Sequence, residues 1–427
     1  MSHTLVLTRT DAVAQDQPEV TNGSPHGQET TRAKDDFDVH IYDDFSDAQS
    51  IWRALEANGH GSVYQRFDWC KLWFSTFGDA QNLTPTILTV CQHGAPLILL
   101  PLVTCSAAFG VRIADFMGGK HGNVRLPLLS AAPKHADAIQ FLSRPGVLSG
   151  LVSGALKQAQ VADFAALTCM PAAFGELKNP FASSMGGPCI DQLLVGELHT
   201  DFEALVTARR SPGYAKKLRK KRRALADGRN LTFARAETQD DVTHALAVFF
   251  QQKAERFRSA GIRNPFEASI HRRFTETLAL ESLENRSGLL DIFTLKKDRE
   301  IVAVFAAGHL GSALSGSLIS MSLDPKVARS SPGEIIVHDL VERLCTHGFS
   351  TFDLGLGEAA RYKQGWCEPA RLGDVNMTIT LRGFLARLAW ASIKIARTFV
   401  LKRPKLAMKI RQALNLLHQK RLTRPLS

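Results

Sequence analysis

Ser331-Pro332-Gly333-Glu334-Ile335-Ile336 opens a helix, and Ser350-Thr351-Phe352-Asp353-Leu354-Gly355-Leu356-Gly357-Glu358 is a strand that runs out into glycines and a carboxylate. Serine suits a helix cap, proline the first helical position, and a glutamate three residues after the serine completes a capping box. Ile335, Ile336, Leu340 and Leu344 then carry a helical period over Glu334–His347. Ahead of this helix Leu314–Leu323 reads as a strand, so the local order is strand, helix, strand, the unit of a sheet with a covering helix. A helix start directly after a strand offers backbone N–H groups and the positive end of its dipole to an anion. Arg329, two residues before the cap, adds a positive charge.

Working outward, Gly288–Leu295, Ile301–Leu310 and Leu314–Leu323 read as strands joined by tight turns, after helical windows at Val242–Ala260 and Ser269–Leu280. The uncharged run Ile301–Leu323 has the length of a membrane span. Its punctuation by Gly308, Gly311 and Gly316 favours a buried hairpin. The first half repeats the order. Two amphipathic helices carry Ile51, Leu55, Trp69, Leu72, Trp73 and Phe77, and this aromatic stripe reads as core. Strands at Thr86–Gln92, Leu97–Thr104 and Val111–Met117 follow, then helices near His135–Leu142 and Gly146–Gln160 and a strand at Phe164–Cys169. The fold class is therefore α/β with two copies of one unit and mixed central sheets. The expected boundaries are a disordered leader at 1–36, an N-terminal domain at 37–200, a C-terminal domain at 201–381 and a basic helical tail at 382–427.

Asp353, Glu358, Arg361, Tyr362 and Lys363 form a dense polar set at the C-terminal end of the last strand. Read from the residues alone, Asp353 either pairs with Lys363 or Arg361 or takes part in chemistry. No G-x-S-x-G elbow occurs where a strand meets a helix.

The string from Pro332-Gly333 through His347-Gly348-Phe349 to Phe352-Asp353-Leu354-Gly355-Leu356-Gly357-Glu358 and Tyr362-Lys363-x-x-Trp366 resembles the CelD-like acyltransferases of the GNAT superfamily. Gln65, Trp69, Trp73, Pro101-Leu102 and Lys253-x-x-Arg256-Phe257 extend the likeness over about residues 38–385. The resemblance implies two tandem GNAT-like domains and acyl transfer from acetyl-CoA or another acyl-CoA, without a metal. It implies that central strands splay within Leu314–Leu323, that pantetheine pairs with the exposed strand edge, and that the pyrophosphate rests on Arg329, Ser331, Pro332 and Gly333. One departure stands out: Glu334 occupies the family's second glycine position. Asp353 or Glu358 would be the base, Tyr362 the acid or orienting hydroxyl, and Lys363 a binder of substrate oxygen. Lys253, Arg256 and Trp366 would meet the acceptor, a sugar, polysaccharide precursor or other small metabolite linked to cellulose or exopolysaccharide biosynthesis. The alternatives are a Fem-type aminoacyltransferase using charged tRNA, and a non-catalytic, membrane-proximal scaffold.

The composition agrees with a globular protein of two or three domains: 427 residues, 44% hydrophobic and 22% charged. The 52 Lys and Arg against 41 Asp and Glu are unevenly placed. No acidic residue follows Asp374, and twelve of the cations lie between Arg382 and Arg424, leaving a near-neutral body. A general nucleic-acid-binding reading is thereby excluded. Lys216–Arg223, basic at seven of eight positions, is either a solvated helix, a clamp for phosphate or an acidic polymer, or a localisation signal. In the tail Phe384, Leu385, Leu388, Ile395 and Phe399 fall on one helical arc, which suits docking on the body, an anionic membrane surface or an acidic partner. Seven cysteines without a C-x-x-C pair read as reduced thiols, arguing against zinc or a disulfide framework. A cytoplasmic location, peripheral at the inner face of the membrane, is expected.

Overall fold

The computed structural model describes residues 37–186, 189, 191–356 and 365–401. The leader, Glu358, Arg361, Tyr362, Lys363 and the tail beyond Leu401 lie outside the described residues. Strand β1 (Phe37–Tyr42) precedes helices α1 (Phe45–Ala57) and α2 (Phe67–Phe77), then strands β2 (Leu83–Gln92), β3 (Ala95–Ser106) and β4 (Arg112–Phe116). The β2–β3 hairpin turns on two residues, His93 at φ 50° and Gly94 at φ 76°. Both are left-handed, the twist that a tight hairpin needs. Helices α3 (Ala136–Leu142) and α4 (Val147–Gln158) lead into β5 (Phe164–Pro171), which runs parallel to β4.

The second unit comprises β6 (Leu193–Glu197), α5 (Phe202–Arg209), α6 (Tyr214–Ala226), β7 (Leu231–Arg235), α7 (Gln239–Ser259) and α8 (Ser269–Glu284). It continues through β8 (Asp291–Lys297), β9 (Glu300–Leu310), β10 (Ala313–Met321), α9 (Pro332–Thr346) and β11 (Thr351–Leu356). β12 (Leu372–Thr378) and α10 (Leu381–Leu401) close the described chain. The Ile301–Leu323 run is the β9–β10 hairpin, paired from Ala303↔Met321 to Leu310↔Ala313. Among the described residues no helix is long and apolar enough to cross a membrane.

The sheets share one plan. The first orders its long strands β1-β2-β3-β4-β5-β12, the second β7-β8-β9-β10-β11-β6, with the short strand Glu368–Ala370 beyond β6. In each an antiparallel series meets one parallel strand, β5 or β11, whose outer edge is then covered antiparallel by a strand from elsewhere in the chain. Those covering strands are exchanged: β6, before residue 200, belongs to the second sheet, and β12, before residue 381, belongs to the first. Sheet membership therefore departs from a division at 200/201, because pairing is set by tertiary register and a buried strand edge must be paired.

The first core spans both units. Trp69 and Phe77 of α2 meet Phe274 of α8 edge-on, with centroids 5.8 and 5.4 Å apart. The aromatic stripe is core, as expected, with Trp69 and Trp73 buried. A second core lies under α9, where Ile335, Ile336 and Leu340 meet Leu218 and Leu225 of α6 and Phe352 of β11.

Two expectations are corrected. Cys169, near the end of β5, and Cys189 are joined in a disulfide, their Cα atoms 5.9 Å apart. The chain passes between the sheets there, and a separation of 20 residues leaves no local sequence mark. Cys70, Cys91, Cys105 and Cys345 are free thiols. The capping box at α9 does not form. Ser331 is left-handed (φ 54°, ψ 60°) and makes no side-chain cap bond, while the Glu334 carboxylate is drawn away by Arg210 (3.4 Å) and Lys221.

Candidate active site

β10 and β11 begin in parallel register, Ala313↔Thr351, Leu314↔Phe352 and Ser315↔Asp353, and no pair follows. Three contacts explain the parting at Gly316. Asn123 of the first unit donates its amide to the Gly316 carbonyl (3.0 Å) and to the Tyr64 hydroxyl (3.2 Å), and Tyr64 Oη lies 2.9 Å from Ser317 Oγ. Gly355 adopts φ +76°, and a Cβ there would stand 3.1 Å from both Asn123 Nδ2 and the Gly316 oxygen. Only glycine fits this approach. Asp353, fully buried, accepts the Gly355 N–H at Oδ1 (2.8 Å) and so fixes the turn in β11. Burial, with the Asp353 carboxylate adding to it, pushes the Tyr64 phenol far above its usual range, so the hydroxyl stays protonated.

Tyr64, Asn123 and Ser317 also line a cavity of about 850 Å³ between the units, a size ordinary for a small-molecule site. Trp69, Trp73 and Phe274 give it an aromatic wall. Lys120, Arg125 and Arg263 line it too, and no Asp or Glu does among the described residues. Arg125 is anchored by donation to the Gly119 carbonyl (2.7 Å) and lies 3.7 Å from Asp115. Burial pushes the Asp115 carboxyl up to about 6, against the pull of Arg125.

A histidine from each unit meets at the wall. The Trp73 indole donates to His121 Nδ1 (3.2 Å), and His121 Nε2 lies 3.0 Å from His271 Nδ1. An indole N–H only donates, so His121 carries its proton on Nε2 and gives it to His271 Nδ1. His271 then holds its own proton on Nε2 as a neutral donor. Burial, with His271 adding to it, depresses His121 to about 4. Burial also lowers His271, aided by the nearby charges of Lys120 and Arg263.

Residues 213–364 match the family model of an acetyltransferase (GNAT) domain. FemX is similar in structure, with a TM-score of 0.55 at 11% identity over 80% of this chain and 97% of that one, a likeness of fold alone. The C-terminal domain of a putative lysylphosphatidylglycerol synthetase from Agrobacterium fabrum scores 0.45 at 12% identity, covering 82% of this chain and 97% of that one. A tandem GNAT protein from the clavulanic acid biosynthesis pathway scores 0.40 at 10% identity, covering 80% and 98%. No curated protein matches the chain. The architecture is mixed α/β with two GNAT-like units.

The strand parting lies within Leu314–Leu323, the stretch in which the resemblance implied a splay. Of the expected site residues, Asp353 stands at the parting itself, whereas Glu358, Tyr362 and Lys363 lie outside the described residues. Trp366 is 2% exposed in the second core against Phe202, Tyr214 and His338, and does not line the cavity. Lys253 sits with its ammonium 5.6 Å from the Phe249 ring and 5.8 Å from the Phe257 ring, Arg256 is exposed on α7, and neither lines the cavity. His309 of β9 is also absent from the lining. Tyr64, His121, Asn123 and His271 were missed. The run Gly118-Gly119-Lys120-His121-Gly122-Asn123 was the available signal, a glycine-rich loop with three polar side chains.

Acyl-CoA fits what is present in two respects. Past Ser315 the edge of β10 that faces β11 is unpaired with it, as a pantetheine amide requires. At α9 the Glu334 carboxylate is countered by two cations, Arg210 and Lys221, so it does not leave the helix start negative. Arg329 is exposed just ahead, and Pro332 and Gly333 are buried in the first turn.

Proposed function

We propose that the chain is an acyltransferase that passes an acyl group from a donor held at the β10–β11 parting to an anionic small molecule in the interdomain cavity. The observation that carries this reading is that Ser317, just past the last β10–β11 pair, lines the cavity together with Tyr64. Acyl-CoA supplies an electrophilic thioester carbonyl; in this reading Arg329, Ser331, Pro332 and Gly333 hold its phosphates. Lys120, Arg125 and Arg263 attract the acceptor's negative group, the aromatic wall takes its body, and the neutral His271 N–H donates to an oxygen. Tyr64, Asn123 and Ser317 orient the attacking group. Asp353 acts through Gly355 as a positioning residue, which leaves Glu358 to take the nucleophile's proton as base, Tyr362 to protonate the departing thiolate and Lys363 to bind a substrate oxygen. A phosphorylated or carboxylated sugar fits the acceptor chemistry; the link to exopolysaccharide rests on the sequence resemblance.

Titration calorimetry with CoA and acetyl-CoA tests the donor. Saturable binding by the wild type, lost in Gly333→Glu, supports acyl-CoA. A folded wild type that binds neither overturns it. Thiol release with phosphorylated and neutral sugars tests the acceptor: turnover confined to the phosphorylated set, and reduced at least about tenfold in Lys120→Ala/Arg263→Ala, is expected for charge-assisted recognition.

One observation favours a second reading, an aminoacyl-tRNA donor. On α6 Lys221 and Arg222 are spent on Glu334 and Asp339, but Lys216, Lys217, Arg219, Lys220 and Arg223 are exposed. Such a face suits a nucleic-acid backbone. Acyl transfer abolished by ribonuclease, and tRNA binding lost in Lys216→Glu/Lys217→Glu, would replace CoA with tRNA.

A further inference from the structure

Helix α10 is attached to the body by its narrow face. Gly383 lies so close to the Asp163 carbonyl that a Cβ would overlap it. Thr380 anchors the turn before it, its hydroxyl donating to Asp163 Oδ1 (2.9 Å). With the Gly383 side turned inward, the apolar arc points away from the protein. Leu381, Leu385 and Leu388 are 81%, 63% and 52% exposed, and Phe384 and Ile393 are exposed as well. This inverts the arrangement of a helix docked on its own domain, which buries its apolar stripe. Arg382 and Arg387 flank the arc and are exposed, and the chain from residue 382 onward carries twelve cations and no acid. An outward apolar ridge within an unbroken positive segment complements a surface that is negative at its face and apolar beneath. A soluble acidic protein would supply the charge but no apolar layer of indefinite extent, and a second copy of this chain would bring twelve more cations against these.

We propose that α10 lies on an anionic lipid bilayer, its Leu381–Leu388 ridge among the acyl chains and Arg382 and Arg387 at the headgroups. The body, held through Gly383 and Thr380, is then carried at the surface with β12 next to the lipid.

The test is co-sedimentation of the full chain with phosphatidylcholine vesicles, with and without phosphatidylglycerol. The expected result is binding to the phosphatidylglycerol vesicles only, weakened by salt, lost on truncation after Gly383, and weakened at least tenfold by Leu385→Ser/Leu388→Ser. These two side chains are exposed, so the variant keeps its fold, which circular dichroism verifies. Full-length protein left in the supernatant overturns the proposal, as does undiminished binding by the truncated chain. Undiminished binding by the serine variant overturns the ridge's role and leaves simple charge adsorption. A lipid-free dimer that the serine variant abolishes would assign the ridge to a second copy. Protection of α10 amides from exchange without lipid, unchanged by vesicles, would assign it to residues 402–427 folding back.

Discussion

At the residue scale the histidines make the clearest predictions. His121 and His338 are both depressed to about 4, the second by burial and by Arg222 and Arg210. Between pH 4 and about 6.5 the unfolded chain therefore binds protons there that the folded chain refuses, and stability rises with pH. Asp115, raised to about 6, works in the opposite direction over about pH 4 to 6, one group against two. Urea unfolding across this range should show stability falling as pH drops below 6.5, and His121→Asn should flatten the slope. Asp353 gives a second contrast. Asp353→Ala strands the buried Gly355 amide and should cost about 1–3 kcal/mol in denaturant unfolding. Asp353→Asn keeps an oxygen acceptor and should cost much less. Under the proposed division of labour, Glu358→Gln lowers kcat by at least about a hundredfold, while Asp353→Asn leaves most of it.

Among the elements, most were legible because apolar period and turn chemistry agreed. The β9–β10 hairpin, α7 and α9 fell where glycine, proline and apolar spacing put them. Side-chain detail at α9 was hidden. The Ser331-Pro332-Gly333-Glu334 run carries every local mark of a capping box, but Arg210 and Lys221, more than 100 residues upstream, hold the glutamate. Local marks carry no information about such partners. The same limit hid His121 and His271, which lie 150 residues apart and meet only because α2 packs on α8. Glu334→Ala should leave Arg210 and Lys221 without their carboxylate at the start of α9. Loss of this partly buried network is expected to cost about 1–3 kcal/mol, read as a lower urea midpoint. At the parting, Gly355→Val forces a β-branched residue to φ +76° against Asn123, and should destabilise the chain while closing the gap to ligand.

For the whole molecule, strand exchange was invisible in sequence because β6 and β12 look like any short strand and nothing local states which sheet they join. Each unit lacks a strand without the other's segment, and Trp69, Phe77 and Phe274 share one core. The two halves should therefore unfold in one transition. A fragment of residues 37–200, deprived of β12, is expected to aggregate when expressed alone, and co-expression of residues 201–381, which brings β12 and takes up β6, is expected to recover soluble protein. Solubility and calorimetric cooperativity check this.

The position of β12 has a further result on the ribosome. β5 waits for a neighbour that is about two hundred residues behind it. Throughout translation of the second unit the nascent first sheet keeps a bare, largely apolar margin, the template on which chains stick to one another. A holding chaperone, or rapid docking of α8 on α2, has to shield that margin until the late strand arrives. Yield in cells should thus respond more to chaperone supply and growth temperature than the stability of the finished protein would suggest.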